Sequence, residues 1–539
     1  MTWIQNYDPL GNWILSTIVS ALPVLTLFIV LLVLRKSVWF SALCGLIVAM
    51  IVAYTVFHMP SGMFVRASLL GMEFGFIQIA YIIVGAVYLY NITVASGKFQ
   101  IMKESITAVS ADQRIQVILI AFCFGAFLEG TAGGGAPVAI AGTFLIGLGF
   151  PPFQAAIMCL LANTAPVAWG AVGSPVRILE GVTGLPLDAL SMTIGRILPI
   201  FSMIIPLYLI SFAFGWKRAR EVLPALLVGG VAFASIQFLW SNFLDVGLVD
   251  IMSGGGSLLV LVIFLKYWKP KNIISIDTSK MKVKRYPSHV VIGAWSPFLL
   301  ASVCIFLWGL SFTKDLLSFD ALEFPVKGLH EMVMKVQPVV AEARLEKAIV
   351  DFNFLAMPGT GVFAGAFLAL PLLKLNFWKA MKILGNTFVS LFPALAAISL
   401  MVGLAYVTRY CGMDSVLGLS LTRTGILYPF FGTLLGWLGV GLSGTDGGSN
   451  ALFGNLQAQT ANQLGINPVL MASANSAGGV MGKMISPQSI VVSSSATQQV
   501  GNEGKIFKAL FKHSLILACL IGLVVMLYAY VIPGIVPNP

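Results

Sequence analysis

The chain has 539 residues, 58% of them hydrophobic and only 10% charged, with a formal net charge of +11 and a mean hydropathy of +0.92. A soluble domain carries roughly 25% charged residues, so an ordinary globular protein is excluded. Runs of the ~20 apolar residues that a bilayer-crossing helix needs recur along the sequence, as in Val38 to Phe57 and Ile197 to Trp216.

The basic residues sit in short clusters between apolar runs, where the retention of positive loops on the cytoplasmic side accounts for them, and this distribution argues against a nucleic-acid partner. The six cysteines (Cys44, Cys123, Cys159, Cys304, Cys411, Cys519) are dispersed singly without C-x-x-C spacing, and the four histidines are equally scattered. Neither set predicts a metal or redox centre, and no cofactor is expected.

In chain order, the first apolar stretch begins near Trp13 after a leader without Lys or Arg. With no basic n-region and no small-residue cleavage site, it predicts a retained helix rather than a signal peptide. Arg35 and Lys36 follow this span, so the amino terminus is expected outside, in the periplasm of a bacterial inner membrane. Further basic clusters at Lys98/Lys103/Arg114, Lys217/Arg218/Arg220, Lys266 to Arg285, Lys374/Lys379/Lys382 and Lys505/Lys508/Lys512 can all be cytoplasmic. That requires two apolar segments to enter and leave on the same side.

Two segments have the glycine-rich breaks to do so. Val117 to Phe150 contains Gly130-Thr131-Ala132-Gly133-Gly134-Gly135, and Ile426 to Phe453 contains Gly444-Thr445-Asp446-Gly447-Gly448-Ser449, both reading Gly-Thr-x-Gly-Gly. A second shared pattern follows each break. Asn163-Thr164-Ala165, Gly170 and Ser174-Pro175 are matched by Asn475-Ser476-Ala477, Gly482 and Ser486-Pro487 at a constant offset of 312 (475 − 163 and 487 − 175). The alternative is chance similarity among residues common in membrane helices; the conserved spacing favours a duplicated unit. Charge placement gives the two copies opposite directions, so the repeats are predicted to be inverted.

The expected architecture is an all-α polytopic membrane protein of about 12 transmembrane helices plus two re-entrant hairpins. The first repeat covers 1–221, with its hairpin at 117–150 and a broken helix at 154–175. Residues 222–288 hold two connecting helices, Leu223 to Trp240 and Gly247 to Trp268, and a basic cytoplasmic loop. The second repeat covers 289–539, with an outer loop at 314–351, a hairpin at 426–458 and a broken helix at 467–490. The mixed charge of the outer loop, from Lys314 to Asp351, reads as a solvated cap without assigned chemistry.

Inverted repeats with interrupted helices are a signature of secondary transporters, which bind substrate near the midplane. Unpaired backbone inside hydrocarbon costs several kcal/mol, so non-helical chain persists only where it is buried in protein or lines a wet cavity. Half-helix amino termini at such breaks offer free N–H groups and a positive dipole end, which suits a carboxylate. Asn163, Thr164, Asn475 and Ser476 supply short donors for a carboxylate and an α-hydroxyl; the rival role is packing between helices. Thr131, Thr445 and Asn450, with the main chain at Gly133 and Gly134, are the further substrate-binding candidates. Ionisable residues within spans are costly and by default functional. Glu129 and Asp446 are therefore candidates for proton coupling, against roles as a structural pair or hairpin cap. Lys483 is either the counter-charge of Asp446 or a ligand of the substrate carboxylate, and Arg177 reads as a surface anchor near the outer vestibule.

FGAFLEGTAGGGAPVAIAG (Phe124 to Gly142), NTAPVAWGAVGSP (Asn163 to Pro175), GWLGVGLSGTDGGSNALFGNLQ (Gly436 to Gln457) and GGVMGKMISPQSI (Gly478 to Ile490) closely resemble the bacterial L-lactate permease family. The resemblance runs from Gln5 to Ile516, essentially the whole chain. It implies uptake of L-lactate, with D-lactate and glycolate as additional substrates, by proton symport. It also implies an elevator-type transporter within a larger ion-transporter superfamily, whose carriers use Ser-Asn-Thr motifs similar to the Asn163-Thr164 and Asn475-Ser476 pairs. Glycines at 133–135 and 447–448 and the Arg177-Ile178 pair depart from the better-known members of that superfamily.

Two rivals remain open from sequence. A sodium-coupled carboxylate symporter would use the same scaffold, whereas a membrane-embedded enzyme lacks any H-E-x-x-H or G-x-S-x-G string in its support. Oligomeric state is likewise open, a homodimer included.

Overall fold

A computed structural model describes residues 2–538 apart from 35, 134, 275–285, 320–321 and 341, and without the side chains of 32, 136, 311 and 314. Arg35, Gly134 and the basic residues Lys280, Lys282, Lys284 and Arg285 thus lie outside the described residues, as does the side chain of Lys314.

Among the described residues, 11 helices are long and apolar enough to cross a membrane, or 12 when Pro152–Ala162 and Val167–Thr183, bent by 66°, form one span. Local chemistry sets their ends. Asn12, Asn376 and Asn467 open Trp13–Phe28, Phe377–Cys411 and Pro468–Gly482 by accepting N–H groups of the first turn. Left-handed glycines, Gly184, Gly412 and Gly444, close Gly170–Thr183, Phe377–Cys411 and Tyr428–Ser443.

The succession Ser61–Ala95, Lys98–Thr107, Gln113–Thr131, Ala136–Gly147, Pro152–Ala162 with Gly170–Thr183, and Leu187–Phe214 occupies the first half. Phe377–Cys411, Met413–Leu421, Tyr428–Ser443, Asp446–Gln463, Pro468–Gly482 with Pro487–Ala496, and Glu503–Tyr530 follow in the second. Gln113–Thr131 with Ala136–Gly147, and Tyr428–Ser443 with Asp446–Gln463, flank the two glycine-rich breaks, and each pair packs on itself as a helical hairpin. The connecting helices are Leu223–Phe243 and Val246–Tyr267.

Close backbone approach fixes the hairpins. A Cβ on Gly436 would lie 2.1 Å from the Asn475 carbonyl oxygen, and one on Gly478 2.2 Å from that of Thr433. Only glycine lets Tyr428–Ser443 sit so near Pro468–Gly482, as small residues do in membrane helix pairs. The first arm, Gln113–Thr131, instead leans on the connecting helix, where a Cβ on Gly254 would fall 2.3 Å from the Phe127 nitrogen.

The larger apolar core runs through the first hairpin, both broken helices and the connecting helices. A smaller one joins Val38–Thr55 and Ser61–Glu73 to the end of Phe377–Cys411 and to Asp446–Gln463. Exposed Leu239, Leu259, Val303 and Leu523 line outward faces, as lipid contact requires.

The described residues of the loop expected as a solvated cap form short strands instead. Val333–Lys335 pairs in parallel with Trp3–Ile4 and antiparallel with Arg344–Leu345, and Glu323–Pro325 pairs with Ile349–Asp351. The amino-terminal leader therefore lies on the same side as this loop. Lys335 and Glu346 are buried, ion-paired to each other, and Arg409 meets Glu346 at 3.2 Å. Burial alone would raise the Glu346 carboxyl, but Arg409 and Lys335 beside it hold it at about 2.

Candidate functional site

The second hairpin begins its return arm with Thr445, whose hydroxyl accepts the Gly448 N–H and caps Asp446–Gln463. That cap places the buried Asp446 carboxyl on a helix amino terminus, a favourable place for negative charge. Its Oδ2 accepts the Ser476 hydroxyl at 2.5 Å and the Asn450 amide at 3.3 Å. Its Oδ1 has no hydrogen-bond partner and lies over the second broken helix, 2.5 Å from where a Cβ on Gly479 would stand. Asn475 donates to Asn450 Oδ1 at 2.9 Å and Ser449 Oγ at 3.3 Å, and Gln457 donates to Asn475 Oδ1 at 3.4 Å. Asn450 also donates to the Pro175 carbonyl at 3.1 Å, which ties this hairpin to the first broken helix.

The first broken helix is interrupted differently. Pro152–Ala162 ends at Asn163, and after Val167–Trp169 the chain takes left-handed angles at Ala171 (φ 44), Val172 (φ 58) and Gly173 (φ 74). Such angles cost side-chain-bearing residues of order 1–3 kcal/mol each and collect at functional sites. Gly133, itself at φ 59, leans on this turn, with its would-be Cβ 3.0 Å from the Ala171 Cβ. In the second broken helix, Lys483–Ile485 forms a tight turn, and Ser486 restarts the helix by accepting the Ser489 N–H.

Around the first break the polar groups are unsatisfied. Glu129 is buried with Oε2 unpartnered, and its Oε1 lies 2.8 Å from the would-be Cβ of Gly170. The Asn163 amide lies against this carboxyl, yet neither its oxygen nor its nitrogen completes a hydrogen bond of good geometry. Thr131 and Thr164 turn their hydroxyls onto their own helices, to Leu128 O at 3.3 Å and Leu161 O at 2.8 Å.

Lys483 joins the two halves. Its Nζ donates to the Gly444 carbonyl at 2.8 Å, stabilising the carboxyl end of the second hairpin's first arm, and it lies in electrostatic reach of both Glu129 and Asp446. Of the sequence-derived candidates, Asp446, Asn450, Asn475 and Ser476 form one hydrogen-bonded cluster. Glu129 and Asn163 form a second, Lys483 stands between them, and Thr131, Thr164 and Thr445 are engaged in their own backbone. Arg177 is half-buried with its Nε unpartnered, unlike a solvated surface anchor.

Two groups of residues escaped the sequence reading. Ser449 and Gln457 complete the second cluster, and their signal is the amide-rich run Asn455, Gln457, Gln459 in a buried hairpin arm. Asp250, fully buried with both oxygens unpartnered, sits beside the first. The rule that ionisable residues within spans are functional would have flagged it.

A multi-pass helical membrane protein with ionisable and amide side chains buried between its spans falls in the class of membrane transporters. More particularly, a family model described as L-lactate permease matches residues 16–532, and the chain belongs to that family; it is a permease and not an enzyme. Glycolate permease GlcA of Escherichia coli K12 is 42% identical over 99% of this chain and 99% of its own. L-lactate permeases of Escherichia coli K12 and Bacillus subtilis 168 are each 39% identical, covering 99% and 100% of this chain and all of theirs. A solved structure, the Alcanivorax borkumensis YdaH transporter, aligns over 87% of this chain and 88% of its own at TM-score 0.44 and 15% identity.

Proposed function

We propose that this permease takes up L-lactate, together with D-lactate and glycolate, by symport with protons across the bacterial inner membrane, its amino terminus in the periplasm. The substrate range rests on the names of the full-length relatives, L-lactate permease and glycolate permease. Proton coupling rests on one observation: Glu129 and Asp446, each beside one glycine-rich break, are both buried within electrostatic reach of Lys483. A buried carboxyl that alternates between charged and neutral forms can carry a proton with an anion, so that the loaded site gains no net charge.

In this reading the substrate carboxylate is held at the first break. The Asn163 amide there has capacity to spare, whereas Asn475 and Ser476 are already engaged. Two inverted repeats and elevator-like movement of the hairpins with the broken helices complete the proposal; the shared 312-residue offset and the recurring order of elements support it.

Uptake of labelled L-lactate by proteoliposomes under an inward proton gradient without sodium tests the reading. Accumulation that glycolate and D-lactate compete away is expected. Accumulation that follows a sodium gradient and ignores pH would replace protons with sodium.

A further inference from the structure

The connecting helix contributes an acid that the coupling scheme above leaves out. Val249–Tyr267 follows directly on the short turn Val246–Leu248, and Asp250 stands in its first turn, fully buried. The glycine that opens the first hairpin's break makes room for it. A Cβ on Gly130 would lie 2.8 Å from the Asp250 Cβ and 2.7 Å from the Ile251 nitrogen, so the hairpin tip is pressed against this acid. Glu129, the residue before that glycine, lies in electrostatic reach of Asp250.

Neither oxygen of Asp250 has a hydrogen-bond partner, nor does Glu129 Oε2. Buried groups in this state are rare, because each forfeits its hydration without replacement. The Asn163 amide, 3% exposed and likewise without a completed hydrogen bond, lies against Glu129 from the first broken helix. Three elements, the hairpin arm, the broken helix and the connecting helix, thus bring unsatisfied polar groups to one place.

We propose that Asp250 and Glu129 form a shared proton-binding site, in which one proton bridges the two carboxyls and Asn163 orients the Glu129 side of the pair. This rests on the proton-symport reading above and adds to it the connecting helix as the second wall of the site.

The charges around the pair fit that role. Asp250 lies within electrostatic reach of Glu129, and Lys483 from the second broken helix lies within reach of both Glu129 and Asp446. Two carboxylates cannot both stay ionised side by side once bound substrate shuts out water, so a proton on the loaded pair is the low-energy state, as in other buried carboxyl pairs. A shared proton needs only a donor and an acceptor, which the two carboxyls supply. In the transport cycle the proton enters the pair when substrate loads. It leaves for water on the other side once the site opens, with no bond but O–H made or broken.

The pair can be read separately from transport. Infrared spectra of the purified full-length protein in detergent at neutral pH with saturating L-lactate should contain a protonated carboxyl C=O stretch that disappears in Asp250→Asn and in Glu129→Gln. The same band intact in both variants would overturn the pair. Proteoliposomes of Asp250→Asn should lose accumulation under a proton gradient by at least about tenfold, with accumulation recovering in Asp250→Glu. Wild-type accumulation in Asp250→Asn would overturn the site. If Asp250→Asn fails to fold, Gly130→Ala, which pushes the hairpin off Asp250 while keeping both acids, should still shift or remove the band; an unshifted band there contradicts the shared proton. Should the wild type transport nothing under a proton gradient yet show the band and its loss, the coupling reading falls while the proton pair stands.

Discussion

The two hairpin tips carry the same Gly-Thr-x-Gly-Gly string and end in opposite chemical states. At the second tip Asp446 is held by Ser476 and Asn450, Asn475 is held by Asn450, Ser449 and Gln457, and glycine pairs lock the arm to the broken helix. At the first, Glu129 Oε2, both Asp250 oxygens and the Asn163 amide are buried without completed hydrogen bonds. The second is built as a clamp, and the first retains binding capacity. Similar strings thus specify where the chain breaks, while the residues packed around the break decide what the break does.

The contrast can be broken most severely at the clamp. Gly478→Ala drives a methyl into the Thr433 carbonyl, an overpacking that costs typically ~1–3 kcal/mol and more against rigid backbone. The folded yield and the thermal midpoint in detergent should fall sharply. Gly125→Ala in the first hairpin arm, whose new methyl meets only the Ile120 carbonyl at 3.5 Å, should leave the midpoint unchanged. Equal behaviour of the two variants would dissolve the distinction.

Next in size is Asp446→Asn. The amide keeps the shape and can still meet Ser476, but it cannot take up a proton, so accumulation under a proton gradient should drop by about tenfold or more. Exchange of labelled for unlabelled lactate should fall by less. Wild-type accumulation would remove Asp446 from coupling.

The asparagines sharpen the comparison. Asn475→Ala strips buried hydrogen bonds from Asn450, Ser449 and Gln457, at about 1–3 kcal/mol for the groups left unpaired. Asn163→Ala removes an amide with no completed bonds, so it should leave stability near wild type and raise the half-saturation concentration for lactate. Thermal melts and uptake kinetics of the two variants measured together read both effects.

The smallest effect belongs to the stranded loop that carries Glu346. Glu346 is held at about 2 against an ordinary 4.5, so it contributes stability above its unfolded value, and that contribution is lost as pH falls from about 4.5 toward 2. Melting temperatures taken from about pH 6 down to about pH 3 should decline more steeply in the wild type than in Glu346→Gln.

The all-α polytopic fold and its dozen or so spans were legible because apolar length is a local signal. The cluster around Asp446 was half legible. Asp446, Asn475 and Ser476 stand in shared motifs, whereas Ser449 and Gln457 matter only through the helix that packs on them. Asp250 opens a connecting helix outside both shared motifs, and only the tight approach of Gly130 reveals its neighbour. Likewise, nothing local to Trp3–Ile4 forecasts a strand partner at Val333–Lys335, more than three hundred residues away. Contacts set by tertiary packing leave no periodic trace in either partner.

The central claim is that proton and carboxylate are bound together between the two breaks. Proton uptake on substrate binding tests it most directly: L-lactate is added to the purified protein in weakly buffered detergent with a pH indicator, beside Glu129→Gln. The wild type should take up a proton as lactate binds and alkalinise the medium, and Glu129→Gln should take up less. Saturable lactate binding by the wild type with no change in pH would contradict the account.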